Sequence, residues 1–393
     1  MSIADKLTLL INTKQDIKSA ISEKGVEVTG GMTTYADAIR RIETGGGGGG
    51  SISSIDIPAG LKFAYSTISE LPQLNLGHGY EDGSYMFYNC RELMRIEDIN
   101  SKEGSYLTNT SYMFYNCKSL TTIPLFNTSR VIDASYMFRD CILLNNIPQI
   151  DSSNMNNTSY MFYNCKSLTA IPLLNTSSVN NANSMFEHCE SLTTIPQLNT
   201  SNVIDAGYML FYCKSLTSIP LLNTSSVNNI SYMFSHCESL TTIPQIDTSN
   251  ANNMRGLVNG CYSLTTIPQL NTSNVSMMDE TFMGCYKLES LPLLDFSNVT
   301  SANNMFSTAP SSSSQPYPKL NDLGGFKNLK VNLNLSGMPN LTVQSLMNVI
   351  NNLYDFVGNG ESTTRTLQLG TTNLNKLTAE QKAVATNKGW VLV

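Results

Sequence analysis

Apolar and polar residues follow one pattern that repeats from Cys90 to about residue 309. After a first interval of 27 residues to Cys117, a cysteine recurs every 24 residues as far as Cys285. A leucine stands three residues after each cysteine, most repeats have an isoleucine six residues after it, and Met-Phe precedes most of the cysteines. A unit of this length cannot bury these side chains by itself. The pattern therefore predicts stacked units whose equivalent apolar residues form continuous rows.

Each repeat has one segment suited to a short strand. The segment Leu168 to Ile171 is followed by Pro172, and most other repeats share this arrangement. Proline has no N–H for a strand ladder, so the strand should end there. Equivalent segments of neighbouring repeats would pair in parallel at about 4.8 Å. The residue after the cysteine alternates in sign, as at Glu190 and Lys214. Stacking should bring these opposite charges into contact.

The sequences that flank the repeats predict separate modules. Residues 3–24 read as an amphipathic helix followed by a second short helix, a pair too small to make a stable core without a partner. The six glycines Gly45 to Gly50 read as a flexible linker. The predicted organisation is a helical attachment and oligomerisation module 1–44, a glycine linker 45–50, an N-terminal cap 51–84, repeats 85–309, a linker 310–319 and a C-terminal cap 320–393.

The C-terminal cap should combine helices and strands. Leu346, Val349, Ile350 and Leu353 fall at the spacing of one buried helix face. Further elements are predicted at 366–369 (strand), from Leu377 (helix) and at 389–393 (closing strand, with the single tryptophan Trp390).

One repeat carries a recognisable motif. Its residues are Met161-Phe162, Cys165-Lys166-Ser167-Leu168, Ile171-Pro172 and Asn175-Thr176-Ser177-Ser178-Val179. This motif resembles the BspA-type leucine-rich repeats of bacterial surface proteins and phage proteins. The resemblance covers about residues 85–309. It implies a leucine-rich-repeat solenoid of 24-residue repeats with short parallel strands, between a small N-terminal helical module and an α/β C-terminal capping unit.

The two ends of the chain carry further resemblances. The N-terminal 40 residues or so look like a module common in tail and fibre proteins of gut phages. The C-terminal Leu-Thr-Ala-Glu-Gln-Lys stretch, from Leu377 to the Gly389-Trp390 ending, is similar to the terminal unit of phage and gut-bacterial repeat proteins. These resemblances imply a non-enzymatic virion structural protein, of fibre or decoration type, located in the virion and assembled in the host cytoplasm. Its partners would be other virion proteins through residues 1–44 and a host cell-surface glycan or protein, and the chain could form a homotrimer.

A bacterial cell-surface adhesin is the alternative function. An adhesin needs export, and the start of the chain lacks the pattern of a secretory signal, because its apolar core from Leu7 to Ile11 is short and interrupted by Thr8. An enzyme built on a repeat scaffold is a third class. No catalytic grouping or nucleotide fingerprint supports it.

Charge and composition argue against two kinds of partner. Charged residues make up only 14% of the chain and its net charge is −6, without a lysine or arginine cluster. The sequence therefore predicts no nucleic-acid binding. No apolar run has the length of a membrane span, so we expect no membrane insertion.

The nine cysteines favour a packing role over chemistry. Their spacing is unlike that of paired zinc ligands, and equivalent side chains in a stack all point the same way. Disulfides between adjacent repeats stay open as an alternative. We expect a buried, reduced cysteine row. His188 and His236 share a repeat position two repeats apart, which favours surface positions over metal ligation. No metal and no cofactor is predicted.

Asparagine recurs in Asn-Thr-Ser at one position of several repeats, as at Asn199 and Asn223. The tripeptide matches a glycosylation acceptor. Its recurrence favours instead a hydrogen-bonded asparagine ladder at a corner of the coil.

An aromatic column is the best candidate for a binding site. Tyrosine recurs five residues before the cysteine, at Tyr85, Tyr112, Tyr136, Tyr160, Tyr208 and Tyr232. A second aromatic column lies two residues before the cysteine, at Tyr88, Tyr115, Tyr163 and Phe211. Partial burial is one interpretation. The other is a stripe that contacts sugars or a protein, because tyrosine presents a large surface at a low entropic cost.

Overall fold

The computed structural model describes residues 54–57, 59–60, 62–66, 68–101, 104, 106–307 and 318–393. The predicted module 1–44, the glycine linker and most of the linker 310–319 lie outside the described residues. The chain divides into two compact units, with the boundary between Val179 and Asn180. Each unit is described by itself.

The described part of the first unit begins with five short strands: β1 (Ser54–Ile57), β2 (Glu70–Leu71), β3 (Gln73–Leu76), β4 (Arg95–Ile96) and β5 (Ile99–Ser101). All their pairings are parallel. One sheet has the order β1-β3-β5, with Leu74 opposite both Ile55 and Ile99, and β2 pairs with β4. Parallel pairing between successive turns of the chain is the arrangement expected of a coil.

The second unit ends in a mixed region, in which the described residues form seven strands and three helices. The strands are β6 (Ser290–Leu291), β7 (Leu294–Asp295), β8 (Asp322–Leu323), β9 (Phe326–Lys327), β10 (Leu333–Asn334), β11 (Arg365–Gln368) and β12 (Trp390–Leu392). The helices are α1 (Val343–Asn351), α2 (Gly370–Leu374) and α3 (Ala379–Asn387). The parallel pairs are β6 with β8, β7 with β9, and β10-β11-β12 as one sheet.

Between these strands the repeats stack through single parallel bridges. In the first unit Asp133 pairs with both Asn109 and Asn157, and in the second unit Asn229 pairs with both Asp205 and Asn253. Each of these partners is 24 residues from the next. Parallel pairing of equivalent residues in successive repeats agrees with the predicted leucine-rich-repeat solenoid.

The predicted location of the strand is only partly right. The Leu-x-x-Ile segment contributes regular strands at β4 and β6, but elsewhere single bridges such as Thr122–Asn146 and Thr242–Thr266. Most backbone bonds between coils come instead from the Tyr-Met-Phe segment. There the N–H groups of Tyr112, Phe114 and Asn116 each donate to a carbonyl of the next coil, at 3.0, 2.8 and 2.7 Å. Tyr112 and Asn116 have left-handed φ values of 57° and 59°, which fold the segment too sharply for a strand.

The core consists of apolar rows, as the sequence predicts. The rings of Phe87, Phe114, Phe138 and Phe162 stack at centroid distances of 5.1, 5.4 and 5.4 Å. All nine cysteines are buried, and none of them forms a disulfide. The Cys141 thiol donates to the Phe114 carbonyl at 3.1 Å, and burial raises the pKa of the Cys117 thiol well above its usual value. The predicted burial of the cysteines is confirmed.

The corner prediction is wrong about which side chain links the coils. The Asn223 Oδ1 accepts hydrogen bonds from the Ser225 N–H and hydroxyl of its own turn, at 3.1 and 2.8 Å. The neighbouring threonine makes a link to the next coil, since the Thr224 hydroxyl donates to the Asp247 carbonyl at 2.7 Å. An asparagine side chain is short enough to close its own turn, which leaves the threonine hydroxyl for the neighbour.

The C-terminal elements lie close to their predicted positions. Leu346, Val349 and Ile350 are buried on α1, whose N-terminus is capped by Thr342. Thr378 and Gln381 form a capping box on α3. The buried Trp390 donates from Nε1 to the Tyr354 carbonyl at 2.9 Å. The sequence missed the short helix α2. None of the helices in the described part of the chain has the length and apolar character of a membrane span.

Candidate binding face

All six tyrosines of the predicted stripe have a left-handed backbone, with φ between 54° and 58°. This conformation is uncommon for a bulky residue, so the surrounding structure must hold it. The N–H groups of Tyr112 and Tyr136 donate to Ser135 and Ser159 of the next coil, at 3.0 and 2.9 Å. Because each tyrosine has the same backbone geometry, successive rings are held in register.

Four of the six tyrosines form one parallel stack in the first unit. The centroid distances are 4.8 Å from Tyr85 to Tyr112, 4.5 Å from Tyr112 to Tyr136 and 4.7 Å from Tyr136 to Tyr160, with interplanar angles of 4–8°. Tyr85 is 45% exposed and the other three are half-buried. The ring faces contact one another, so a partner meets ring edges and hydroxyl groups.

A second row of side chains runs beside this stack. Tyr88 and Tyr115 stack at 4.8 Å, and Tyr65 meets Tyr88 edge-on at 5.4 Å. Arg139 occupies the same repeat position as Tyr115 and Tyr163. We call this surface the tyrosine face; it comprises Tyr65, Tyr85, Tyr88, Tyr112, Tyr115, Tyr136, Arg139, Tyr160 and Tyr163.

Arg139 is the cation at the centre of the tyrosine face. Its guanidinium carbon lies 4.3 Å from the Tyr163 ring centroid and 5.4–5.8 Å from those of Tyr160, Tyr136 and Tyr115. Its Nε is 3.4 Å from the Asp140 carboxylate. Contacts of this kind contribute about 0.5–2 kcal/mol each, depending on desolvation. Arg139 therefore holds the two rows of rings together.

The hydroxyl groups of Tyr112 and Tyr136 stay protonated at neutral pH. Burial, followed by the neighbouring Tyr136 and Tyr85, raises the pKa of Tyr112 to about 12. Burial is also the first cause of the raised pKa of Tyr136. A neutral phenol can both donate and accept. The tyrosine face thus offers a regular row of polar groups between apolar ring edges.

The other two predicted tyrosines stack in the second unit. Tyr208 and Tyr232 lie 4.9 Å apart. The next residue in the column is Gly256, so the stack stops there. The Tyr232 hydroxyl donates to Glu280 at 2.9 Å, and Arg255 forms an ion pair with the same carboxylate at 2.8 Å. The six predicted tyrosines are therefore found in two stacks, one in each unit.

A third aromatic cluster in the second unit was not predicted. The Tyr212 ring lies between His188 and His236, at 4.7 and 4.2 Å, and Phe211 meets both histidines edge-on. Burial, then the charges of Lys214 and His188, lowers the pKa of His236. Lys214 also contacts Glu190 at 2.9 Å, as the alternating charges predict.

The residues missed by sequence reasoning share one signal. Arg139 and Tyr212 each differ in type from the other members of their repeat column: Arg139 interrupts a tyrosine column, and Tyr212 stands where earlier repeats have Asn89, Asn116 and Asn164. Within the described residues there is no group of three or more histidine, cysteine or carboxylate side chains that could hold a metal ion.

The repeats match a known family model over more than half of the chain. The model is described as "Mycoplasma protein of unknown function, DUF285" and matches residues 81–195, 169–267 and 217–319. The chain belongs to the DUF285 family. This match agrees with the resemblance of its repeats to the BspA type. No curated protein matches the DUF285 chain.

Solved structures resemble the DUF285 chain at low identity. The leucine-rich-repeat protein TpLRR of T. pallidum is 18% identical, with a TM-score of 0.31, over 60% of this chain and 83% of its own. The pneumococcal vaccine antigen PcpA is 16% identical, with a TM-score of 0.37, over 77% of each chain. The functional domain of InlJ from Listeria monocytogenes, whose description mentions a cysteine ladder, is 13% identical, with a TM-score of 0.25, over 81% of this chain and 74% of its own.

Proposed function

We propose that this chain is a non-enzymatic binding protein whose tyrosine face contacts a glycan or protein on a cell surface. The observation that carries the proposal is the stack of Tyr85, Tyr112, Tyr136 and Tyr160 beside Arg139. Tyrosine and arginine are among the residue types enriched in binding hot spots. Among the described residues, we see no comparable convergence of side chains that would support catalysis.

The stack is suited to binding because its side chains are already ordered. Each interface side chain that must be immobilised costs about 0.5–1.5 kcal/mol, and rings held by both neighbours lose little further freedom. Hydroxyl groups repeated at the 4.5–4.8 Å spacing of the rings can engage a partner at several points. Such contacts are individually weak, so affinity would come from their number.

For the place of display we propose the virion of a phage, with residues 1–44 attaching the chain to other virion proteins, as a homotrimer or a single copy. Support comes from the resemblance of both ends of the sequence to phage proteins. Immunogold microscopy with antibody against residues 117–285 tests this directly. Gold on purified particles is the expected result. Gold confined to a bacterial envelope would contradict it and favour the bacterial surface adhesin.

Binding itself is tested with the full chain and isolated bacterial envelopes, in a sedimentation assay. Retention by the envelopes is expected, and periodate or protease pretreatment of the envelopes distinguishes a glycan from a protein receptor. Loss of retention after one of these treatments identifies the receptor class. Retention that survives both treatments, or no retention by any envelope tested, would contradict the proposed function.

A further inference from the structure

A groove in the second unit lies where the repeat column just after the proline departs from its usual pattern. The residue after the proline alternates between leucine and glutamine, in the order Leu125, Gln149, Leu173, Gln197, Leu221 and Gln245. The alternation predicts leucine at the next position, but residue 269 is a second glutamine. The leucines of this column are among the most exposed apolar side chains, with Leu173 at 62% and Leu221 at 63%.

The two glutamines lie along the coils instead of standing out from them. The Gln245 Nε2 donates to the carbonyl of Gln269 at 2.9 Å, and the Gln269 Nε2 donates to that of Leu293 at 2.8 Å. Each also donates to the carbonyl of the residue that follows it. Neither Oε1 accepts a hydrogen bond from the described residues. A groove of about 580 Å³ lies along this stretch.

The groove combines an apolar floor with an acidic rim. Ile246 and Leu270 line it and are almost fully buried, while Leu293 forms an exposed apolar wall. Asp247 is exposed at the rim, and hydrogen bonds from Ser249 lower the pKa of its carboxyl group. The volume of the groove falls in the range of about 300–1,000 Å³ that is usual for ligand sites.

The far end of the groove is closed by an ion pair. The Lys327 Nζ lies 2.8 Å from the Asp295 carboxylate. Burial alone would raise the pKa of Asp295, but hydrogen bonds from Lys327 and Ser297 lower it overall. Since Lys327 is engaged by Asp295, the carboxylate of Asp247 is the charge left to interact with a ligand. The groove therefore has one net negative charge.

We propose that this groove binds an extended peptide segment of a partner protein that carries a basic side chain next to an apolar one. The Oε1 atoms of Gln245 and Gln269 can accept from peptide N–H groups, and Asp247 can pair with an ammonium or guanidinium group. The apolar side chain would occupy the space that a leucine at position 269 would fill. The site shares no residue with the tyrosine face, so either can fail without the other.

The test is isothermal titration calorimetry of the full chain with three capped tetrapeptides. These are acetyl-Leu-Arg-Leu-Lys-amide and its counterparts with glutamine or glutamate in place of both basic residues. The basic peptide should bind at least fivefold more tightly than the glutamine peptide, and the glutamate peptide more weakly still. Equal affinity for the three peptides, or no heat with the basic peptide at millimolar concentration, would overturn the proposal.

Matched variants locate the binding. Gln269→Leu restores the alternation and fills the groove, and Asp247→Asn removes its unpaired charge; each should weaken the basic peptide at least fivefold. Gln149→Leu and Asp151→Asn make the same changes at equivalent positions of the first unit and should leave its affinity unchanged. Equal weakening by the two sets, or by neither, would show that the groove does not bind the peptide.

Discussion

The Tyr232 hydroxyl donates a hydrogen bond to Glu280, which lies 48 residues further along the chain. The contact spans two coils because Gly256 stands between them in the same column. A Cβ atom at Gly256 would lie 2.3 Å from the Tyr232 Cε1, so the ring occupies the space of the missing side chain. A single glycine thus ends the tyrosine stack of the second unit and allows a polar contact across the gap.

Gly256→Ala should therefore destabilise the second unit. Overpacking against Tyr232 is expected to cost about 1–3 kcal/mol, in addition to the strain of a left-handed φ of 57°. Urea unfolding followed by circular dichroism measures the loss. Gly360→Ala is the control, because Gly360 also has a positive φ but nothing within 4 Å of the added carbon. Equal losses in the two variants would show that backbone strain alone is responsible.

The stack of His188, Tyr212 and His236 should make stability depend on pH. Because the pKa of His236 is lowered in the folded chain, the unfolded chain binds the proton more readily. The contribution of neutral His236 to the free energy of unfolding is fully present above the ordinary histidine pKa of about 6.5. This contribution is lost as the pH falls toward and through the lowered pKa of His236 in the folded chain. We expect the melting temperature to fall between pH 7 and pH 5.

The variant His236→Asn should reduce that fall. Asparagine occupies the same repeat position at Asn116 with a left-handed φ of 59°, so the backbone tolerates the change. His78→Gln, at an exposed position, is the control and should leave the pH dependence as it is. An unchanged slope in His236→Asn would mean that another group is responsible.

The nine thiols should not react in the folded chain. All are buried, and burial raises the pKa of each of those with a resolved shift, Cys90 to about 12. Since only the thiolate reacts readily with alkylating agents, iodoacetamide at pH 8 should add no label without denaturant and nine labels in urea. Mass spectrometry without reductant counts them. Labelling of the folded chain, or fewer than nine labels in urea, would contradict a buried, reduced row.

The threonine links between coils should contribute measurably to stability. The Thr224 hydroxyl is buried and donates to the Asp247 carbonyl at 2.7 Å. Thr224→Val keeps the shape of the side chain but removes the donor, at an expected cost of about 0.5–1.5 kcal/mol in unfolding free energy. Thr194→Val changes an exposed threonine and should cost less than half as much. Comparable losses of unfolding free energy in the two variants would show that the hydrogen bond is not the cause.

Periodicity alone predicted much of the fold. Equivalent residues in a stack must have equivalent surroundings, so the burial of Cys141 and the contact between Glu190 and Lys214 follow from their repeat positions. Helix α1 followed from the spacing of its apolar residues. In each case the pattern that predicts the feature is local or repeats along the coils. A pattern of this kind is visible in a single sequence.

The details of the tyrosine face could not be predicted in the same way. The residue type of Tyr112 does not predict its left-handed backbone conformation. Hydrogen bonds to the next coil hold the backbone in that conformation. The position of Arg139 against four rings depends on side-chain packing across neighbouring coils. The reach of Tyr232 to Glu280 depends on the absence of a side chain at Gly256. These contacts involve residues that depart from the repeat, and the repeat pattern therefore does not predict them.

The role of the tyrosine face is tested most directly by removing its central rings without straining the backbone. Tyr112→Asn with Tyr136→Asn does this, because Asn304 holds the same repeat position with a φ of 54°. Each hot-spot residue typically contributes about 1–2 kcal/mol to the binding free energy. We therefore expect the double variant to sediment with bacterial envelopes at least tenfold less well than the unchanged chain. Tyr262→Ala, a half-buried tyrosine of the second unit, should bind normally. Unchanged binding by the double variant, with its fold intact by circular dichroism, would contradict the central claim.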